Sequence, residues 1–176
     1  MKEELKLNYL SANDAKSLCL LMTSNSEAFQ RFFPKTLEQN QSIADSQSFI
    51  LNKIKEIESK SEYTFAIRSN NDNSLAGLVI LKNIDWKALE GELAYCLDQR
   101  SHGKGWATSS VKQVSSFAIE ELGLKVLKII AHKSNIASIR VAEKCRFKWK
   151  KTLSKSFQPP NEEPLNMELY ELTYEG

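Results

Sequence analysis

Arg100-Ser101-His102-Gly103-Lys104-Gly105-Trp106-Ala107 is the stretch whose residue types and spacing suit chemistry most directly. Glycines at alternate positions let the backbone turn tightly and bring consecutive N–H groups toward one point. Such donors, joined to the positive end of a following helix, make a site for a diphosphate. Glycine loops also occur with no ligand, and that reading stays open on these residues alone. The stretch is not a P-loop, because Gly-Lys-Ser/Thr at the required spacing is missing. No third glycine follows and the preceding strand is not the first of the chain, so a dinucleotide fingerprint is absent too. NAD and ATP are therefore poor ligands, and another nucleotide-bearing anion is called for.

The elements around the loop support this placement. Glu92-Leu93-Ala94-Tyr95-Cys96-Leu97 reads as a central strand before it. Ala107, Val111, Val114, Ala118 and Leu122 fall at helical offsets after it, with Gly123 as a stop. Upstream, residues 5–10 suggest a first strand, and the run around Leu18 to Met22 a helix after the capping cluster at 11–14. Ile43, Ile50, Leu51, Ile54 and Ile57 trace one face of an amphipathic helix over 42–59. Strands at 63–68 and 75–81 flank a turn-rich segment and form a hairpin. A short strand at 126–131, a short helix at 137–145 and strands at 147–153 and 167–174 complete the chain. An α/β fold with a mixed sheet follows, and residues 1–176 are expected to form a single domain.

At this point a family resemblance appears. Arg100-x-x-Gly103-x-Gly105-x-Ala107 is similar to the acyl-CoA-binding motif of the GNAT acetyltransferases. Asn135-Ile136-Ala137-Ser138 and Glu143-Lys144-Cys145-Arg146-Phe147 resemble the signature of the RimJ/RimL-like branch, which acetylates ribosomal-protein N-termini and related amines. Order and spacing of the elements agree over nearly the whole chain. Two departures stand out: Arg146 where the family usually has glycine, and Ala94 in place of a common glycine.

The resemblance implies a mainly antiparallel central sheet flanked by helices, and acetyl-CoA as the cosubstrate. It assigns the pyrophosphate to the loop running from Arg100 through His102, Gly103, Lys104, Gly105 and Trp106 to Ala107. It assigns the pantetheine arm to strand backbone at Cys96 and Leu97, and places Asn135 near the acetyl end. An extended pantetheine carries amides that pair with an exposed strand edge, so the location is physically sensible. Asn135 has a second reading as a helix cap.

Acetyl transfer to an amine needs a base for the amine proton, donors for the oxyanion and help for the departing thiolate. Glu92 is the best-placed carboxylate for the base, with a structural ion pair as its alternative. Ser138 stands where the family puts a hydroxyl beside the thiol; a serine that back-bonds to its own helix is the other reading. Tyr95, on the opposite strand face from Glu92, packs or lines the acceptor groove. Phe29 to Phe33 and the loop around Gln158 to Glu163 are expected to form that groove, with Glu162 and Glu163 as candidate cation-recognising groups. The acceptor is a primary amine, a protein N-terminus or a small molecule. Non-catalytic acyl-CoA binding by the same fold is the alternative, and a phosphate-binding protein of another class is a third.

Bulk composition narrows the partners. A net charge of +2 argues against nucleic acid or anionic membrane as the main partner. Three cysteines far apart suit reduced thiols in the cytoplasm, and two histidines without close ligating partners argue against a metal. No apolar signal region or span is seen. A homodimer is left open. Bases crowd residues 144–155 and acids crowd 162–175, as on two neighbouring strands that attract each other or on an anion-binding patch.

Overall fold

A computed structural model describes residues 4–176, and a seven-stranded sheet organises them in the order β1-β2-β3-β4-β5-β7-β6. The strands are β1 (Leu5–Tyr9), β2 (Tyr63–Ser69), β3 (Leu75–Asp85), β4 (Glu90–Leu97), β5 (Val126–Ala131), β6 (Lys148–Phe157) and β7 (Leu165–Thr173). All neighbours run antiparallel except β4 and β5. That mixed, mainly antiparallel sheet with helices on both faces is the architecture the resemblance implied.

Both faces of the central strands are covered, which explains their continuous apolar runs. On one face Leu78, Ile80 and Cys96 pack with Leu18 and Met22 of α1 (Ala15–Ser24) and Phe49 and Ile50 of α4 (Ile43–Glu58). On the other, Val79, Leu81, Leu93 and Leu127 meet Val111 and Val114 of α5 (Trp106–Ser116) and Val141 and Ala142 of α6 (Ile136–Lys144). Two short helices, α2 (Ser26–Phe29) and α3 (Pro34–Glu38), carry the chain from α1 to α4.

Ser42 caps α4, its hydroxyl accepting the Asp45 N–H at 3.1 Å. The buried stripe of α4 is centred on Phe49 and Ile50, whereas Ile43 and Leu51, counted on the apolar face from spacing, are exposed. The helix expected to run to Leu122 changes pitch: a π-helical segment at Phe117–Glu121 closes it. Phe117 meets Tyr63 and Phe65 edge-on there, at ring separations of 5.3 Å each.

The β4–β5 pairing positions the site. It spans only residues 90–92 against 126–128, after which β4 stays with β3 and β5 stays with β7. The two strands part, and a cleft opens in the middle of the sheet.

The charge-rich end of the chain is an edge. Trp149 of β6 donates to Glu168 of β7 at 2.6 Å, Thr152 bonds the same carboxylate, and Lys150 lies 3.9 Å from Glu171. These contacts are those of neighbouring strands whose exposed faces attract one another, the first of the two expectations.

Candidate active site

The loop after β4 is built by a buried carboxylate. Asp98 accepts the Arg100 N–H at 2.9 Å and the Arg100 guanidinium at 2.7 Å. Those bonds from Arg100, against the cost of burial, hold the Asp98 carboxyl below the usual carboxylate range. Asn25, buried between α1 and α2, accepts the Gln99 N–H at 3.1 Å and ties the loop to the opposite layer. Gly103 and Gly105 both adopt φ of +78°, a conformation that favours glycine, and no atom lies within 4 Å of where a Cβ would stand. The first helical bond of α5 runs from the Ser109 N–H to the Gly105 carbonyl at 3.0 Å. Among the described residues, no hydrogen bond claims the N–H groups of Gly103, Gly105, Ala107 or Thr108.

This geometry revises part of the expected cradle. Arg100 spends both its amide and its guanidinium on Asp98 and does not line the cavity, so it shapes the loop. The His102 N–H donates to the Gln99 carbonyl at 3.2 Å, and its ring nitrogen sits 3.2 Å from the Leu97 carbonyl. The donor cluster therefore begins at Gly103. Lys104 stands 5.1 Å over the Trp106 ring, which is buried.

Strand register revises another expectation. The Asp98 N–H donates to the Ala76 carbonyl at 2.7 Å, and hydrogen-bonded pairs alternate along an antiparallel ladder. Cys96, opposite Leu78, consequently spends its main-chain groups on β3. Leu93, Tyr95 and Leu97 turn theirs toward the cleft instead. Of the two strand positions expected to meet the pantetheine, Leu97 keeps an open amide and Cys96 does not.

The cleft leads into a cavity of about 1090 Å³. Leu93 to Leu97 line one wall and Ile129 to His132 the other, with Gly103, Gly105 and Ala107 at one end. Because the sheet is split, side chains from both its faces reach this single space. Glu92 enters from one face, Tyr95 and Ser138 from the other. Glu92 accepts from Asn83 Nδ2 at 2.8 Å and lies 3.6 Å from Lys82 Nζ.

Asn135 does cap α6, its Oδ1 accepting the Ser138 N–H at 3.2 Å, and it also lines the cavity. Ser138 does not back-bond to its helix; its hydroxyl accepts from the Tyr95 phenol at 3.0 Å. Burial pushes Tyr95 up to about 12, the bond with Ser138 pulling the other way. No local signal announces this pair, whose members are 43 residues apart. Nor did spacing reveal the parts played by Asn25 and Asp98.

At the other end, Phe32 lies 6.1 Å from His132 and 6.0 Å from Phe157, ring to ring, which sets the expected phenylalanine cluster in the wall. Glu162 is held by Arg31 at 2.9 and 3.1 Å, so its charge is already paired. Lys53 bonds Glu62 at 2.6 Å and Glu56 at 3.0 Å. Burial pushes the Cys96 thiol up to about 12 and raises that of Cys145, leaving neither a ready nucleophile. Among the described residues, no group of three His, Cys, Asp or Glu side chains could hold a metal ion. No helix among them is long and apolar enough to cross a membrane.

A split sheet with an amide-lined glycine turn beside it defines a class, and comparison with known proteins agrees. The family model for the acetyltransferase (GNAT) domain matches residues 4–148. The chain belongs to the GNAT acetyltransferases; it is an acetyltransferase that takes acetyl-CoA as its acyl donor. Among curated proteins, it is 30% identical over 139 residues to the "Probable N-acetyltransferase YjcK" of Bacillus subtilis (strain 168), covering 78% of this chain and 77% of that one. Among solved structures, it resembles the ribosomal-protein-S5-alanine acetyltransferase from Vibrio fischeri, with a TM-score of 0.91 and 17% identity over 98% of this chain and 94% of that one. Another is the microcin C7 self immunity acetyltransferase MccE in complex with acetyl-CoA and AMP, at a TM-score of 0.86 and 23% identity over 97% and 93%. At those identities the two structures establish the shared fold.

Proposed function

We propose that this protein transfers the acetyl group to a primary amine in a ternary complex, with a protein N-terminus of ribosomal type as the acceptor. The observation that carries the reading is the split between β4 and β5, which lets donor and acceptor meet from opposite faces of one sheet. When bound, acetyl-CoA supplies an activated acyl carbon and a thiolate leaving group. The unclaimed amides of Gly103, Gly105 and Ala107, at the N-terminus of α5, fit its pyrophosphate. Leu97 and Tyr95 offer main-chain groups to an extended amide-bearing arm, as a strand edge does. Asn135 orients the first turn of α6, and Ser138 offers its hydroxyl to the sulfur.

Glu92 takes the amine proton directly or through water, with Asn83 and Lys82 fixing its carboxylate. Phe32, Phe157 and His132 form a wall against which the acceptor backbone lies. A ribosomal acceptor is in keeping with the name of one fold neighbour, a ribosomal-protein-S5-alanine acetyltransferase. The three free cysteines support a reducing, cytoplasmic setting, and one sheet running through residues 5–173 supports a single domain.

The test is thiol release from acetyl-CoA with a panel of peptide N-termini and small amines. Amine-dependent release is expected, and CoA binding without turnover on any amine would favour a non-catalytic module instead. Glu92→Gln is expected to keep CoA affinity and lower kcat by about 100-fold, the scale of a lost general base. Turnover equal to wild type would remove Glu92 from that role.

A further inference from the structure

Ser138 is the first-turn residue of α6 aimed at the cavity, and a serine hydroxyl there ordinarily rotates among several acceptors. Here the rotor is constrained. Tyr95, half-buried on β4, donates its phenolic hydrogen to Ser138 Oγ at 3.0 Å, and the Ser138 N–H is taken by Asn135 Oδ1. With one lone pair occupied by the tyrosine, the serine hydrogen has no acceptor within its own helix and is left to point into the cleft. Hydrogen bonds in a chain polarise one another, so a hydroxyl that accepts becomes a better donor.

We propose that Tyr95 is a positioning residue that acts through Ser138, fixing its hydroxyl as a hydrogen-bond donor to the sulfur of the coenzyme. This rests on the reading of the cleft as the site of acetyl transfer. The tyrosine is a donor rather than a source of protons. Its acidity near 12 is weaker by about three powers of ten than a thiol with an ordinary pKa of about 8.5, so a full transfer to thiolate sulfur is uphill. Both hydroxyls keep their hydrogens while the C–S bond breaks and sulfur departs with the bonding pair. The departing thiolate is stabilised in place and acquires its proton afterwards from water.

A donor of this kind binds thiolate better than thiol, and that is measurable without turnover. The probes are CoA and desulfo-CoA, which lacks the thiol, titrated calorimetrically at pH 7 and pH 10. Taking their affinity ratio cancels what the two ligands share: the titratable and charged lining of the cavity from α3, α4 and the residue before β2 (Lys35, Lys53, Glu56 and Glu62), from β3 and β4 (Lys82, Glu92 and Cys96), and from the loops and α6 (His102, His132, Arg140 and Lys144), with Cys145 behind Tyr95. In the wild type the ratio is expected to rise about tenfold with pH, equivalent to a thiol pKa lowered by about one unit in the complex. Tyr95→Phe keeps the ring and its packing, and is expected to cut that rise to about threefold. In steady-state assays it is expected to lower kcat about tenfold with the KM for acetyl-CoA unchanged. Placed on Ser138→Ala it should cost nothing further. A pH-dependent ratio that survives Tyr95→Phe intact, or kcat losses that multiply in the double variant, would overturn the assignment. Failure of CoA to bind at all would strike the cofactor site instead, and amine-dependent turnover with an unaltered ratio would strike Tyr95 alone.

Discussion

Arg146 shows how one residue departs from its family and what that costs. It stands at φ +67° after α6, where the resemblance led us to expect glycine. The Phe147 N–H reaches the Ala142 carbonyl at 2.9 Å and the Arg146 N–H the Glu143 carbonyl at 3.0 Å, the pair of bonds that closes a helix through a left-handed residue. The turn is therefore made despite the side chain. A left-handed non-glycine residue costs about 1–2 kcal/mol, while glycine would lose about 0.4–1 kcal/mol to greater freedom in the unfolded chain. Arg146→Gly is accordingly expected to stabilise the protein by about 0.5 kcal/mol in urea melts; a loss of stability would mean that the arginine side chain makes a compensating contact. The same scale explains the mixed fate of the loop residues. Gly103 and Gly105 were legible because only their backbone freedom was needed, a property of residue type. The bonds of Arg100 and His102 to Asp98, Gln99 and Leu97 were not legible, because those partners are chosen by the turn's geometry.

At the scale of elements, β3 and β4 pair beside the cleft, and Gly77 faces Leu97 where there is no room for a side chain. A Cβ at that position would lie 2.3 Å from the Cys96 carbonyl oxygen, a main-chain atom that cannot swing aside. Replacing glycine by alanine often stabilises through the unfolded state by about 0.4–1 kcal/mol, but forcing strands apart typically costs about 1–3 kcal/mol. The steric cost wins. Gly77→Ala is expected to lower stability by about 1–2 kcal/mol, read as a lower urea midpoint at unchanged slope. An unchanged or raised midpoint would show that the pair of strands can yield there. Helices such as α4 were legible in outline from period and capping, yet the buried stripe turned out to be centred on Phe49 and Ile50. Spacing alone cannot say which side of a broad apolar arc meets the sheet. The π-helical end of α5 was not legible either, since it depends on Phe117 fitting against Tyr63 and Phe65 from another element.

For the whole molecule, the coenzyme is expected to act as a brace between layers, because the loop it meets is tied to Asn25 on one side and to α5 on the other. Saturation at 100 times the dissociation constant should add about 2.7 kcal/mol to the apparent stability. Gly105→Glu, which puts bulk and negative charge among the open amides, is expected to abolish that gain in a thermal melt with CoA. An undiminished gain would show that the pyrophosphate lies elsewhere. The sequence by itself determined the parts whose cause is local: the glycine turn, the strand before it and the amphipathic helix after it. Tertiary structure alone decided that β4 and β5 part after residue 92, because register between strands separated by a whole helix depends on how both pack against their other neighbours. From that parting came everything shared across the gap, including the meeting of Tyr95 with Ser138 and the access of Glu92 to the same cavity from the opposite face.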